Sequence, residues 1–253
     1  MRKFGLIGYP LGHSFSKKYF SQKFLNEHIT DCCYENYPLS NLNQFPKLIE
    51  ENPELCGLNV TIPYKSEIFR FLDFIDPEAD KIGAVNVLKI RRQKGKIKLY
   101  GYNSDVTGIK DTLLPYIKPD VRSAMVLGTG GASRAVCYVL DKFGLKITQI
   151  SRNRKPGILC YSDINSGLIN STDLIINTTP VGMFPDIEGK PNLDYTLLDS
   201  KHILFDLVYN PERTSFLRSG EERGCTIITG LKMLHSQAER SWEIWNDINL
   251  QEF

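Results

Sequence analysis

Residues 126–135, VLGTGGASRA, set glycines between an apolar run and a stretch of helical periodicity. A chain passing from strand to helix through Gly128, Gly130 and Gly131 is committed to a βα unit. The glycines permit a turn too tight for residues with a Cβ, and they leave backbone N–H groups facing outward where the helix starts. Such a turn holds a pyrophosphate, which makes Gly128, Gly130, Gly131 and Ala132 candidate dinucleotide contacts. A βα turn without a ligand is the plainer alternative. Ser133 occupies the third small-residue position, normally glycine or alanine, so the helix has to accommodate a hydroxyl where it crosses the strand.

The surrounding pattern is α/β. Apolar runs AMVLG, KITQIS, DLIINTT, HILFDLVYN and CTIITG follow one another from Ser123 onward, with a helix predicted over 132–143, and this half reads as a nucleotide-binding parallel sheet. Before it, KFGLIG, CYENYPL and GLNVTI alternate with helical stretches over 19–27 and 41–51. AVNVLKIRR and KIKLYGYN flank Gln93, Lys94 and Gly95, a hairpin signal expected at the edge of the first sheet. Two domains are expected: a substrate domain over 1–103, rejoined by a helical segment over 231–253, and a Rossmann-like dinucleotide domain over 104–230. In the last segment Leu231, Leu234, Ala238, Trp242 and Trp245 fall near one helical face.

The second strand of the dinucleotide half ends in Ser151, Arg152, Asn153 and Arg154, with no carboxylate. A site for NAD carries an acid there to accept the ribose 2′-hydroxyl, and that acid would repel a 2′-phosphate. Guanidinium groups bind such a phosphate, so NADP is the expected cofactor, with Ser151 and Arg152 in the site.

The formal charge of +2 gives no general reason to bind nucleic acid or an anionic membrane, so any anion must be caught by local groups. On the substrate side, GLNVTIPYK brings Asn59 and Thr61 to one strand face, with Pro63 ending the strand before Lys65. An amide, a hydroxyl and an amine converging there suit a small polyhydroxylated ligand. Ser14 and Ser16 in GHSFS offer hydroxyls to a carboxylate. Asn86 in IGAVNV and Asp105 in GYNSDVTG complete the set, although Asp105 is also in place to begin a helix. The six cysteines form no CxxC pair and the four histidines have no ligand spacing. Neither a disulfide framework nor a metal site is expected. The amino-terminal apolar run is interrupted by Pro10 and Gly12, so no signal peptide or membrane span is expected, and the expected location is the cytoplasm.

Together, GHSFS, GLNVTIPYK, IGAVNV, GYNSD, VLGTGGASRA, NTTPVGM, YNP and GLKMLHSQA resemble the ordered motifs of the shikimate dehydrogenase family along almost the whole chain. The resemblance implies NADP-dependent reduction of 3-dehydroshikimate to shikimate. It also implies that Ser14 and Ser16 meet the substrate carboxylate, and that Asn59, Thr61, Lys65, Asn86, Asp105, Tyr209 and Gln237 line the rest of the substrate pocket. Thr178, Gly230 and Met233 are implied near the nicotinamide. Three positions depart from the common pattern: Lys17 replaces proline, Ser104 precedes Asp105 in place of threonine, and Val87 follows Asn86 in place of threonine. More substantially, Pro156 and Gly157 break the helix that normally follows the second strand, and the connection is shortened.

Ketone reduction requires a proton donor for the oxygen, and Lys65, with Asp105 as its carboxylate, is the expected acid/base. A relative that also accepts quinate or uses NAD, and a sensor that binds the ligand without turnover, remain alternatives. A small-molecule substrate is the expected partner, and the oligomeric state is open.

Overall fold

In a computed structural model, which describes residues 1–11 and 15–247, the apolar runs pair into two separate six-stranded sheets. The chain divides accordingly into Met1–Ser104 together with the residues from Ala238 onward, and Asp105–Gln237.

The first unit runs through β1 (Arg2–Gly8), α1 (Phe15–Asn26), β2 (Cys32–Pro38), α2 (Phe45–Glu51), β3 (Leu55–Val60), β4 (Phe74–Ile75), α3 (Pro77–Ile82), β5 (Val87–Gln93) and β6 (Lys96–Tyr102). Its sheet has the order β2-β1-β3-β5-β6-β4. β1 lies parallel between β2 and β3, whereas β5 is antiparallel to both β3 and β6. Lys94 and Gly95 both have positive φ, 50° and 76°, the two-residue geometry that matches strand twist in a hairpin. The hairpin is not at the sheet edge as expected, because the two-residue strand β4 pairs outside β6. So short a strand carries no periodicity to read.

Alternation along the strands covers both faces of this sheet. Ile7, Leu58 and Leu88 enter one core with Phe45 and Ile49 of α2. Phe4, Leu6 and Val87 enter the other with Phe20 and Phe24 of α1 and with Ile244 and Trp245 near the chain's end. α3 carries its own punctuation: the Asp76 side chain accepts from the N–H groups of Glu78 and Ala79, Pro77 opens the first turn, and Gly83 at φ 68° closes the last.

The second unit contains α4 (Asp105–Leu113), β7 (Ser123–Leu127), α5 (Gly131–Lys142), β8 (Lys146–Ser151), β9 (Leu159–Cys160), α6 (Ser166–Asn170), β10 (Leu174–Asn177), β11 (Ile203–Asp206), α7 (Ser215–Glu221) and β12 (Thr226–Ile228). Its sheet is wholly parallel, in the order β12-β11-β10-β7-β8-β9. The chain leaves β7 toward β8 on one side and returns to β10 on the other. The strand ends at Leu127 and Asn177 therefore flank the switch point where open α/β sheets bind ligands.

α8 (Leu231–Asn246) belongs to both units, and the return of the chain falls at Ala238 inside it rather than at Leu231. Its first turns are held by α4: a Cβ on Gly108 would lie 2.6 Å from the Met233 carbonyl oxygen and 3.3 Å from the Gln237 Cβ. Its end is held by the first sheet. The Trp245 indole N–H donates to the Leu88 carbonyl at 3.0 Å, and the Lys89 ammonium donates to the carbonyls of Ile244, at 2.7 Å, and Asp247. Cationic donors suit these last, otherwise unpaired helix carbonyls. Among the described residues no helix is long and apolar enough to cross a membrane.

Gly57 of β3 lies directly beneath the indole, where an added Cβ would come within 2.4 Å of Trp245 ring atoms. The ring is buried and stacks on Phe4, so it has no free direction in which to yield. Gly57→Ala is expected to destabilise the chain by about 2–3 kcal/mol, read as a lower urea midpoint. The cost should shrink in a Trp245→Phe background, because the two sites share one contact. An unchanged midpoint would mean that the indole is not fixed there.

Candidate active site

At the carboxyl end of β3 and the start of β5, a chain of buried polar groups runs through the first unit. The Tyr34 hydroxyl donates to Asn59 Oδ1 at 2.8 Å and is hydrogen-bonded to Ser16. Asn59 Nδ2 donates to Ser241 Oγ at 2.9 Å, and Ser241 Oγ lies 3.1 Å from Ser104 Oγ. Asn86 closes the chain, its Nδ2 donating to Ser104 Oγ at 3.1 Å and its Oδ1 accepting from the Ser104 N–H at 2.7 Å. Ser104 and Ser241 are fully buried and Asn86 is almost so. Unpaired amides and hydroxyls there would cost roughly 1–3 kcal/mol each, so the network fixes the rotamers of both asparagines. Burial holds the Tyr34 phenol well above its usual range, keeping it a donor.

The structure thus gathers Ser16, Asn59 and Asn86, three of the residues singled out from sequence. Thr61 and Lys65 follow on the same strand exit. The Thr61 N–H donates to the Ile7 carbonyl at 2.9 Å, and a Cβ on Gly8 would strike the Thr61 methyl at 2.4 Å, so Gly8 makes room for that side chain. Lys65 is half-buried, and its carbonyl accepts from the Val85 N–H at 2.8 Å. Ser14 lies outside the described residues. Asp105, nearly fully buried, is the first residue of α4, directly after Ser104, whose N–H Asn86 holds. Gln237 is half-buried and Met233 buried, both on the first turns of α8 against Gly108.

In the second unit the glycine turn is braced from below. Gly128, at φ 119°, turns its carbonyl to accept from Ser133 Oγ at 2.7 Å and from Gln149 Nε2 at 3.0 Å, and Gln149 also donates to Ser133 Oγ at 2.8 Å. The hydroxyl that departs from the fingerprint is therefore absorbed as a brace. Thr178 packs against the same turn: its Oγ1 donates to the Leu127 carbonyl at 2.6 Å, and a Cβ on Gly128 would meet that oxygen at 2.5 Å. Gly130 precedes α5 with no side-chain cap, and a Cβ there would meet nothing within 4 Å. Open space over the N-terminus of a twelve-residue helix, beginning at Gly131 and Ala132, fits a pyrophosphate. Ser151 is buried at the end of β8, its Oγ accepting from the Asn153 N–H at 3.3 Å. Arg152 beyond it is exposed. These residues fit a dinucleotide.

Across the sheet from the turn, Asp206 is fully buried at the end of β11. Its carboxylate accepts from Thr214 Oγ1 at 2.6 Å, from Asn177 Nδ2 at 3.0 Å and from the Val208 N–H at 3.0 Å. Asn177 Oδ1 accepts in turn from the N–H and hydroxyl of Thr179, at 3.1 and 2.6 Å. One carboxylate thus ties the NTTPVGM loop to the loop carrying Tyr209. Burial raises Tyr209, which is half-buried. Gly230 is required by close approach, since a Cβ would lie 2.6 Å from the Leu207 carbonyl oxygen.

Residues 6–88 match the family model described as the shikimate dehydrogenase substrate binding domain. Over 97% of its length the chain is 35% identical to a protein of Methanococcus aeolicus named shikimate dehydrogenase (NADP(+)), covering 94% of it. A protein of the same name from Clostridium beijerinckii is 37% identical over 99% of the chain and 94% of its own length. The chain belongs to the shikimate dehydrogenase family. Among solved structures, shikimate 5-dehydrogenase from Thermus thermophilus, in complex with NADP(H) and shikimate, is similar with a TM-score of 0.82 at 30% identity, covering 97% of this chain and 94% of that one.

Within this shikimate dehydrogenase fold, several residues of the two sites carry no obvious mark in the sequence. Ser241 is one, though it stands one helical turn from Gln237 on α8. Gln149 is another, a lone polar residue on the strand KITQIS that alternation would assign to a face rather than to a turn. Tyr34 and Asp206 read as ordinary strand residues.

Asp206 has a measurable signature. Burial pushes its carboxyl up to about 7 against the pull of its three donors. Between the ordinary carboxyl range and that value the folded chain holds a proton that the unfolded chain has released. The stability contributed by this proton is present in full at low pH and is lost as pH rises toward 7. From pH 5 to 8 the loss is on the order of 2–3 kcal/mol. Asp206→Asn should remove that slope, so denaturant titrations at the two pH values should show the variant gaining on the parent at the higher one. Parallel curves would mean that Asp206 is ionised throughout.

Proposed function

We propose that the chain catalyses the reversible NADP-dependent reduction of 3-dehydroshikimate to shikimate. The observation that carries this reading is its correspondence, over nearly their full length, with relatives named for that activity, while it retains Lys65, Asp105 and the buried asparagine network. NADP, when bound in its reduced form, supplies the hydride.

The chain's own residues then do three things. Ser14 and Ser16 hold the substrate carboxylate by hydroxyl donation, and Asn59, Thr61, Asn86, Tyr209 and Gln237 meet the ring hydroxyls. The bond from Asn59 to Ser241 and those from Asn86 to Ser104 preset both amides, so less ordering remains to be done on binding. Lys65 gives a proton to the ketone oxygen as charge develops there, and the resulting amine is reprotonated from solvent; Asp105 is the carboxylate of this acid/base pair. Gly128, Gly130, Gly131 and Ala132 take the pyrophosphate, Ser151 and Arg152 the adenosine end, and Thr178, Gly230 and Met233 the nicotinamide end. The six thiols are free, which suits a reducing compartment, and we place the chain in the cytoplasm.

The test is spectrophotometric: purified chain with shikimate or quinate, each with NADP or NAD, followed by absorbance of the reduced nicotinamide. Turnover confined to shikimate with NADP is expected. Comparable rates with quinate or NAD would move the chain to broader-specificity relatives, and shikimate binding without turnover would make it a sensor. Lys65→Met is expected to lower kcat by a factor on the order of 10²–10⁴ with little change in KM, because the ammonium acts chiefly in the transition state. A loss confined to KM would remove Lys65 from the acid/base role.

A further inference from the structure

The connection from β8 to β9 places a second cation at the glycine turn. Parallel neighbours are ordinarily joined by a helical crossover of a dozen residues or more. Here only residues 152–158 intervene between strands that pair Ile150 with Leu159 and Ser151 with Cys160. Lys155, Pro156, Gly157 and Ile158 make a tight turn, with the Ile158 N–H donating to the Lys155 carbonyl at 3.1 Å and Gly157 at φ 72°. Proline second and a positive-φ glycine third are the residues this turn geometry selects.

The turn sorts the three cations of the segment. Arg154 points to Asp163, at 2.9 Å, and Asp163 is itself fixed by accepting from the Cys160 N–H at 2.8 Å. Lys155 points the other way, its ammonium donating to Thr129 Oγ1 at 3.1 Å, between Gly128 and Gly130. An ammonium has three donors, and the bond to Thr129 uses one. Among the described residues neither Arg152 nor Lys155 is paired with a carboxylate.

We infer that Lys155 reads the 2′-phosphate of NADP together with Arg152. The inference rests on the NADP reading above and adds the residue that sets cofactor choice. The pyrophosphate already has the backbone donors and helix dipole at Gly130 and Gly131, whereas the dianionic 2′-phosphate, at the end of the second strand, needs cations. Exposed charges contribute modestly here, and salt weakens them.

Calorimetric titration of the full chain with NADP, NAD and adenosine 2′,5′-bisphosphate tests this in Lys155→Gln and Lys155→Arg. For Lys155→Gln, roughly tenfold weaker binding of NADP and of the bisphosphate is expected, with NAD nearly unchanged and the difference shrinking as salt is raised. Lys155→Arg should retain most of the affinity. Equal weakening of NADP and NAD would assign Lys155 to the pyrophosphate or to bracing the turn and overturn the proposal, as would unchanged NADP binding. Failure of the unaltered chain to turn over shikimate while this pattern holds would strike the proposed activity and leave the Lys155 assignment standing. An unaltered chain with no preference for NADP over NAD would overturn the assignment.

Discussion

The first unit depends on a hydrogen-bond chain that has no exposed member between Tyr34 and Asn86. Each bond in it satisfies a group whose burial is otherwise unfavourable, and the bonds are linked: removing Ser241 Oγ leaves Asn59 Nδ2 only its longer bond, 3.3 Å, to the Asn86 carbonyl and deprives Ser104 of a neighbour. Such a network is worth little net stability when complete and costs a good deal when broken. Its value is geometric. β3 and β5 are antiparallel neighbours with Asn59 paired opposite Val87, so the amides of residues 59 and 86 leave the sheet close together, and α8 supplies the hydroxyl that joins them. The packing of Trp245 on Gly57 and the Lys89 cap at the end of α8 then hold Ser241 in register, even though they lie away from the asparagines.

The second unit solves a comparable problem at a backbone carbonyl. A glycine turn that presents N–H groups outward must turn a carbonyl inward, and a buried carbonyl needs donors. Gly128 receives them from Ser133 and Gln149. The serine that departs from the fingerprint consequently stiffens the turn, and it couples α5 to β8 through side chains as well as through the sheet. At the next strand ends Asp206 is instead the acceptor, tying two loops together as Asn177 and Val208 donate to it.

Much of this architecture is legible in the chain, and the rest fails for identifiable reasons. The βα unit at Gly128 is plain because three local signals coincide: an apolar strand, glycines and helical periodicity. The Lys94-Gly95 turn is plain for similar reasons. β4 and β9, at two residues each, have no period to detect, and the brief helices α6 and α7 present too few residues per face. On the substrate side Asn59, within β3, and Asn86, just before β5, stand out as polar residues in apolar runs. Ser241 does not, because its bond to Asn59 spans 182 positions and nothing local to α8 distinguishes a buried serine from a solvated one. In the cofactor half the broken helix after Arg152 is visible from Pro156 and Gly157. The direction in which each cation then points is not, since it follows from the turn's geometry.

A chain with a formal charge of +2 still has to hold a carboxylate, a pyrophosphate and a 2′-phosphate, and the proposed assignments divide these anions by charge density. A monovalent carboxylate suits neutral hydroxyl donors such as Ser16, which avoid desolvating a lysine or arginine. The pyrophosphate suits the aligned N–H groups at the start of α5, whose partial charge is spread over several donors. Only the 2′-phosphate, doubly charged and at the protein surface, calls for full cations. There the cost of ordering a long side chain is reduced if the chain already holds it, as the turn and Thr129 hold Lys155. On that proposal the seven-residue connection needs no helix to present a cation at the end of β8, because a turn of fixed geometry already aims one ammonium toward the glycine turn.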